Sequence, residues 1–269
     1  GVERSRAAQA GFSQINDTVK EVTEIVSMVD RQTEGIAHST SLIQTSVDRV
    51  KASLSDFAGD ARDNGGQLIK AQKRLSHLEM LSNNMLDTLA NSGAEIDDTP
   101  LILVAQQRAR EIAELIERAV GEGRIALEDV FDTDYVPIPG TNPQQFATRF
   151  CDFADAHVRP LLDRVMAEEK KAIAAVISDV NSYLPTHITE RSRPQSDDPD
   201  WNAAHCRNRC NTMDETTLRA VQSQNPVMVA AFRWELGAGH IVVAKDIFVP
   251  LYICGRRWGN FELAYVDAK

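Results

Sequence analysis

The densest cluster of chemically capable residues is the segment 205–210, His-Cys-Arg-Asn-Arg-Cys, which follows Trp201 closely. On a helix Cys206 and Cys210 would share one face, with His205 beside them, and thiolates with imidazole are ligands for zinc or haem. A single Cys-x3-Cys pair without a matching second pair is not a metal motif, so the sequence predicts neither a metal nor a cofactor. Zinc or haem is the alternative, with ligands drawn from His187, His205, Cys206, Cys210 and His240.

Arg207 and Arg209 give the same segment a second possible role, which is to bind an anion. A guanidinium group binds a carboxylate or phosphate through two parallel hydrogen bonds, and an indole ring such as that of Trp201 can stack against a ligand. These residues therefore predict contacts with an anionic small molecule. The alternative is that the arginines hold an irregular loop by pairing with Asp197, Asp198 or Asp246.

Motifs of catalysis are missing from the sequence. It contains no phosphate-binding loop, no G-x-S-x-G and no H-E-x-x-H. Glu235 and Asp246 have the residue types of an acid and base pair, but nothing in the sequence places them together. We therefore expect that the chain is not an enzyme.

Residues 1–90 carry an apolar seam at alternating steps of three and four residues, from Phe12 to Leu89. A repeat that averages 3.5 residues is typical of a coiled coil, because supercoiling keeps such a seam against a partner helix. The sequence thus predicts a long helix that pairs with its own copy in a homodimer. The segment Asn64-Gly65-Gly66 leaves open a helical hairpin as an alternative to a continuous helix.

Composition bounds the function further. The formal net charge of −10 argues against a nucleic-acid partner. No apolar run approaches the roughly 20 residues that span a bilayer, and four scattered cysteines predict a reducing, cytoplasmic location. The sequence leaves open whether a transmembrane or signalling segment precedes Gly1.

The aromatic residues divide the chain, since residues 1–90 hold only Phe12 and Phe57. We expect a coiled-coil signalling and dimerisation helix at 1–90, a linker at 91–100 and a globular domain at 101–269. Helices are predicted at 101–124 and, with a kink at Pro160, at 144–171. The fold class is α+β, with an antiparallel five-stranded sheet flanked by helices. Its predicted strands are 172–180, 183–187, 226–236, 240–254 and 258–266.

Four segments resemble bacterial signalling proteins. Residues 179–187 and 255–265 are similar to the first and last hairpins of Cache-type (PAS-like) sensor domains. Residues 201–209 resemble a stretch of methyl-accepting chemotaxis proteins that carry this domain at the C-terminus, and residues 21–40 resemble the returning helix of a chemoreceptor signalling hairpin. The regular hairpin tip that contacts the kinase is not found in the sequence.

The resemblance implies the C-terminal part of a chemoreceptor, in which a dimeric helical rod is coupled to a sensor of a small cytosolic ligand. Chemotaxis signalling proteins are the implied partners. The ligand would lie between the sheet and the segment that connects its strands. Together with the arginines, this places the ligand-binding residues at Tyr183, Trp201, Arg207, Arg209, Arg233 and Lys245. Two alternatives are a scaffolding protein without a small ligand and a haem- or metal-based redox sensor.

Overall fold

The computed structural model describes residues 1–235 and 241–267, without the side chains of residues 234, 235 and 241. The chain divides into two compact units, residues 1–76 and 77–269. Within the described ranges, no helix combines the length and the apolar character needed to cross a membrane.

Helix α1 (Val2–Ala90) forms the first unit, and its last turns, from residue 77 onward, belong to the second unit. The helix continues through Asn64-Gly65-Gly66, so the hairpin alternative is wrong. Each glycine costs only about 1 kcal/mol in a helix, which a helix of this length tolerates. The seam residues are exposed in the single chain, for example Phe12 at 73% and Leu54 at 62%. The predicted pairing with a second copy stays a prediction.

The second unit is α+β and combines helices with two antiparallel sheets. After the last turns of α1 they are, in order, α2 (Thr99–Gly121), α3 (Leu127–Val130), β1 (Val136–Pro137), β2 (Phe146–Ala147), α4 (Cys151–Phe153), a π-helical turn (Ala154–Val158), α5 (Arg159–Glu168), β3 (Ala172–Asp179), a 3-10 turn (Thr189–Arg191), α6 (Pro199–His205), α7 (Glu215–Gln222), β4 (Met228–Glu235), β5 (Ile241–Ile253) and β6 (Arg256–Val266).

An antiparallel sheet of strand order β3-β6-β5-β4 organises this unit, and β1 pairs with β2 in a separate ribbon. Side chains alternate between the two faces of a strand. Odd-numbered residues such as Ile177, Ile247 and Leu263 pack in the main core with Ile112 of α2 and Leu162 of α5. The even-numbered residues therefore point to the opposite face, which the connecting segment between β3 and β4 covers.

The sheet has four strands in the described part of the chain, whereas five were predicted. Residues 183–187 make only single bridges, from His187 to Val176 and from Tyr183 to Asn211. The backbone of Leu184 is used by the connecting segment instead, because its N–H donates to Cys210 and its carbonyl accepts from Arg209. The predicted second strand is thus part of the cover of the sheet.

The helix predicted at 144–171 begins later, at Cys151, because Phe146 pairs with Pro137 of β1 and donates its N–H to the carbonyl of Arg209. Pro160 lies in the first turn of α5, directly after the π-helical turn, where a missing N–H costs little. Strand β5 runs through Pro250 as expected. Its pairing with β4 ends at Phe248, so Pro250 needs no donor toward that neighbour.

The last turns of α1 cover the free edge of β4. Asn83 accepts a hydrogen bond from the N–H of Ala231 at 2.9 Å and donates to the carbonyl of the same residue at 3.4 Å. Asn91 donates to the carbonyl of Val227 at 2.9 Å. Side-chain amides thus satisfy backbone groups that an edge strand would otherwise leave unpaired.

Candidate functional site

A cavity of about 400 Å³ lies between the even-numbered face of the sheet and the connecting segment. Its apolar lining comes from all four strands and from that segment. The apolar residues are Ile173, Ala174, Val176, Leu184, Phe232, Phe248 and Ala264. An apolar cavity of this size with a few polar groups is the usual form of a small-molecule site.

Two carboxyl groups form the floor of the cavity. Phe248 pairs with Glu262 and Asp246 pairs with Ala264, so the two acids are diagonal neighbours on the same face of β5 and β6. Glu262 is 8% exposed and accepts a hydrogen bond from the hydroxyl of Ser178 on β3. Burial raises the pKa of Glu262 to about 7. It also raises the pKa of Asp246 well above its usual range, an effect to which repulsion from Glu262 adds.

The connecting segment supplies the opposite charge. Arg191, Arg207 and His187 line the cavity from this segment, and Arg233 lines it from β4. Burial lowers the pKa of His187 to about 3, and the nearby arginines add to the effect, so the imidazole is neutral. Burial also lowers the pKa of Arg191, again with a contribution from Arg207. The cavity therefore has an acidic floor and a cationic wall.

Arg207 and Arg233 are the two predicted ligand-binding residues that the structure brings to this cavity. Arg207 is exposed, and among the described residues no carboxylate lies within 4 Å of its guanidinium group. Arg233 lies 3.3 Å from Glu79 in the last turns of α1. Both arginines are thus largely exposed while they line the cavity.

The structure places the other four predicted residues outside this cavity. Arg209 adopts a positive φ of 62° and pairs with Asp152 and Asp155, at 3.2 and 3.0 Å. It holds a loop, although its partners differ from the acids proposed for that role. Trp201 is exposed on α6 and stacks on His205, with a distance of 4.6 Å between the ring centroids.

Tyr183 and Lys245 are likewise outside the large cavity. The Tyr183 hydroxyl donates to the carbonyl of Phe146 at 2.6 Å and lies 3.1 Å from the sulfur of Cys151. Its ring lines a separate cavity of only about 40 Å³. Lys245 pairs with Asp98, at 2.8 Å, and with Asp267, at 3.1 Å.

The four candidate metal ligands within the described residues, His187, His205, Cys206 and Cys210, do not form a common site. No group of three His, Cys, Asp or Glu side chains with metal-binding geometry occurs among the described residues. His187 accepts a hydrogen bond from the N–H of Ile188, and Cys206 is buried, with burial raising its pKa. His240 lies outside the described residues.

Sequence reasoning missed Glu262 and Arg191, and it found nothing that places Asp246 beside another acid. The side chain of Glu235, the acid considered with Asp246, lies outside the described residues. A signal for the true pair exists in the sequence. Glu262 stands between Phe261 and Leu263, and Asp246 is followed by the apolar residues 247–249. The cost of burying a carboxylate in such a strand indicates a functional group.

No family model matches the chain, and no curated protein is similar enough to count as a match. Similar solved structures include the sensory domain of the Campylobacter jejuni chemoreceptor Tlp3 with isoleucine bound, at 12% identity over 63% of this chain and 58% of that chain, with a TM-score of 0.29. An extracellular ligand-binding receptor from Desulfohalobium retbaense is 12% identical over 64% of this chain and 26% of that one, with a TM-score of 0.28. A third, methyl-accepting chemotaxis protein X, is 14% identical over 63% of each chain, with a TM-score of 0.27.

The chain thus spans between about a quarter and two thirds of the length of these structures. They are ligand-binding and sensory domains, chemoreceptor domains among them, at low sequence identity. We therefore infer the function of this chain from the residues of its own cavity.

Proposed function

We propose that this chain is a non-enzymatic signal-transduction protein of the chemoreceptor type, whose second unit senses a small molecule. The observation that carries the proposal is the cavity of about 400 Å³ on the sheet face, lined by charges of both signs. Its volume is within the range of small-molecule sites, and charged groups with little compensation inside such a cavity are expected to bind a ligand. A scaffold without a ligand would have no need of this cavity.

Arg207 is the residue that we assign to an anionic group of the ligand. Its guanidinium lines the cavity and has no carboxylate within 4 Å in the described part of the chain, so its bidentate donors are available. Arg209, two residues further on, is already bound by Asp152 and Asp155. The two arginines of the predicted pair therefore have different roles.

A thermal-shift screen of the whole chain tests this function. The panel contains organic acids, organic phosphates, amines and aminocarboxylates. A ligand with an anionic group should raise the melting temperature, and Arg207→Ala should weaken its binding at least tenfold, about 1.4 kcal/mol. Arg193→Ala is the matched control, because Arg193 is an exposed arginine of the same segment that does not line the cavity.

A panel without any stabilising compound would contradict the proposed function. An anionic ligand that binds the Arg207→Ala variant as tightly as the wild type would refute the assignment of Arg207.

The seam of α1 supports the second part of the proposal, a homodimer. Residues such as Ile43 and Val47 are exposed in the single chain, at 63% and 41%, although they are apolar and regularly spaced. Burial of each large apolar side chain contributes about 1.5 to 3 kcal/mol, which favours association with a second copy. Light scattering should report a dimer for the wild type and for Thr45→Asp, which lies off the seam. Ile43→Asp should give a larger fraction of monomer.

A wild-type chain that remains monomeric at micromolar concentration would contradict the dimer. The cytoplasmic location, the chemotaxis partners and the lack of enzymatic activity that the sequence predicts stay predictions.

A further inference from the structure

The two acids on the floor of the cavity form an unusual pair. Diagonal neighbours on one face of an antiparallel pair of strands have Cα atoms about 7–8 Å apart, within reach of each other's side chains. Asp246 on β5 and Glu262 on β6 occupy such positions, and both side chains line the cavity. In the described part of the chain no Lys, Arg or His nitrogen lies within 4 Å of either carboxylate.

The hydrogen bonds of the pair are incomplete. Ser178 donates its hydroxyl to one oxygen of Glu262. Oδ1 of Asp246 is enclosed and has no hydrogen-bond donor among the described residues. An enclosed acceptor without a donor is energetically unfavourable. Because this oxygen borders a cavity, a donor group of a ligand can satisfy it.

Other charges around the pair are divided between the surrounding elements. Asp214, at the start of α7, adds a third carboxylate to the lining. Arg207 and Arg191 face the pair from the connecting segment, together with the neutral His187, and Arg233 faces it from β4. The arginines are more than salt-bridge distance from both carboxylates. Burial therefore dominates the pKa of Glu262, which the charge of Arg207 lowers only in part. Burial and mutual repulsion both disfavour the state in which two neighbouring carboxylates are ionised together.

We propose that Asp246 and Glu262 together hold one proton in the empty cavity and exchange it for the cationic group of the ligand. The inference rests on the proposed function and deepens it, since it assigns the ligand an organic ammonium or amidinium group. When the cation enters, one O–H bond of the pair breaks and its proton passes to the solvent. The net charge of the cavity floor with its bound cation is therefore unchanged. Burial of both carboxyls, which raises their pKa values, agrees with this arrangement.

The exchange requires that affinity for the cation rise with pH. The ligand binds the form of the pair that has lost its proton, and the fraction of this form increases about tenfold from pH 5 to pH 6. Above the pKa of the pair the affinity becomes constant. A ligand bound through its anionic group alone would show no such increase.

Isothermal titration calorimetry with a defined series of probes tests the exchange. The probes are the aminocarboxylates from glycine to 6-aminohexanoate, each compared with the alkylammonium ion and the carboxylate of the same chain length. Titrations at pH 5, 6, 7 and 8, in two buffers that differ in ionisation enthalpy, count the protons released. We expect the ammonium-bearing probes to bind, to release close to one proton at pH 6 and to gain affinity with pH. Replacing both acids, Asp246→Asn with Glu262→Gln, should abolish that proton release.

Three results would overturn the exchange: binding of the carboxylates alone, failure of every ammonium-bearing probe to bind, or binding of an ammonium probe without proton release.

A measurement without any ligand tests whether Asp246 and Glu262 share a proton. Carbon-13 NMR of the side-chain carboxyls should show one of the two acids protonated at pH 6, and two acids that are ionised from pH 5 to pH 8 would refute the shared proton. If carboxylates bind without the exchange, the proposed sensor function stands while this inference fails.

Discussion

Replacing Glu262 by glutamine should make the second unit more stable at neutral pH. The pKa of an ordinary glutamate is 4.5, and burial raises that of Glu262 to about 7. The folded protein therefore binds the proton more tightly than the unfolded chain does. The contribution of Glu262 to the free energy of unfolding is fully present below pH 4.5, decreases as the pH rises toward 7, and is lost above pH 7. The difference between these two pKa values corresponds to at most about 3 kcal/mol in the free energy of unfolding.

Glutamine tests this energy cleanly because it has the same shape and still offers an oxygen to the hydroxyl of Ser178. It cannot ionise, so the Glu262→Gln variant should match the wild type near pH 4.5 and exceed its stability by about 1–3 kcal/mol at pH 8. Urea unfolding followed by tryptophan fluorescence measures the effect, since all three Trp residues belong to the second unit. Glu95→Gln, at an exposed position, is the control. Equal pH profiles for the wild type and Glu262→Gln would refute the assigned burial cost.

Two further substitutions test the packing around the sheet. Gly259→Ala should lower the free energy of unfolding by about 3 kcal/mol or more, because its new Cβ would lie 1.9 Å from a carbonyl oxygen of β3. Gly121→Ala is the control in the same urea assay and should be tolerated, because its new Cβ meets nothing within 4 Å. Asn83→Ala should cost about 1–2 kcal/mol because it leaves the N–H and carbonyl of Ala231 without partners. Asn84→Ala, on the exposed side of the same helix, should cost less, and equal losses in thermal melts would contradict the role of Asn83.

Elements with a regular local pattern could be predicted from the sequence. The seam of α1 predicts a long helix, and its alternating steps outweigh the two glycines at 65 and 66. Helix α2 and the turn at Gly255, where φ is +77°, follow from local signals as well. Residues 183–187 have the composition of a strand, but their backbone donors and acceptors bind the segment around Cys210. The local sequence does not determine whether residues 183–187 pair with a strand of the sheet or with the segment around Cys210.

The candidate site was harder to predict than the fold. Arg207 and Arg209 look alike in the sequence, yet the left-handed backbone at Arg209 accompanies a side chain that binds Asp152 and Asp155. Those acids lie more than 50 residues away in the chain, so only the tertiary fold separates the two arginines. The position of Glu262 likewise depends on the tertiary fold, because the register of β5 and β6 places it beside Asp246, 16 residues earlier.

Strand β4 connects the cavity with the last turns of α1. One edge of this strand is bound by the amide of Asn83, and the same strand extends Phe232 and Arg233 to the lining of the cavity. Arg233 also lies 3.3 Å from Glu79, in an exposed ion pair that is worth at most about 1 kcal/mol. A charge-assisted contact between Arg233 and an anionic group inside the cavity is worth about 1.5–3 kcal/mol. An anionic ligand that reaches Arg233 would therefore compete with Glu79 for the same guanidinium group.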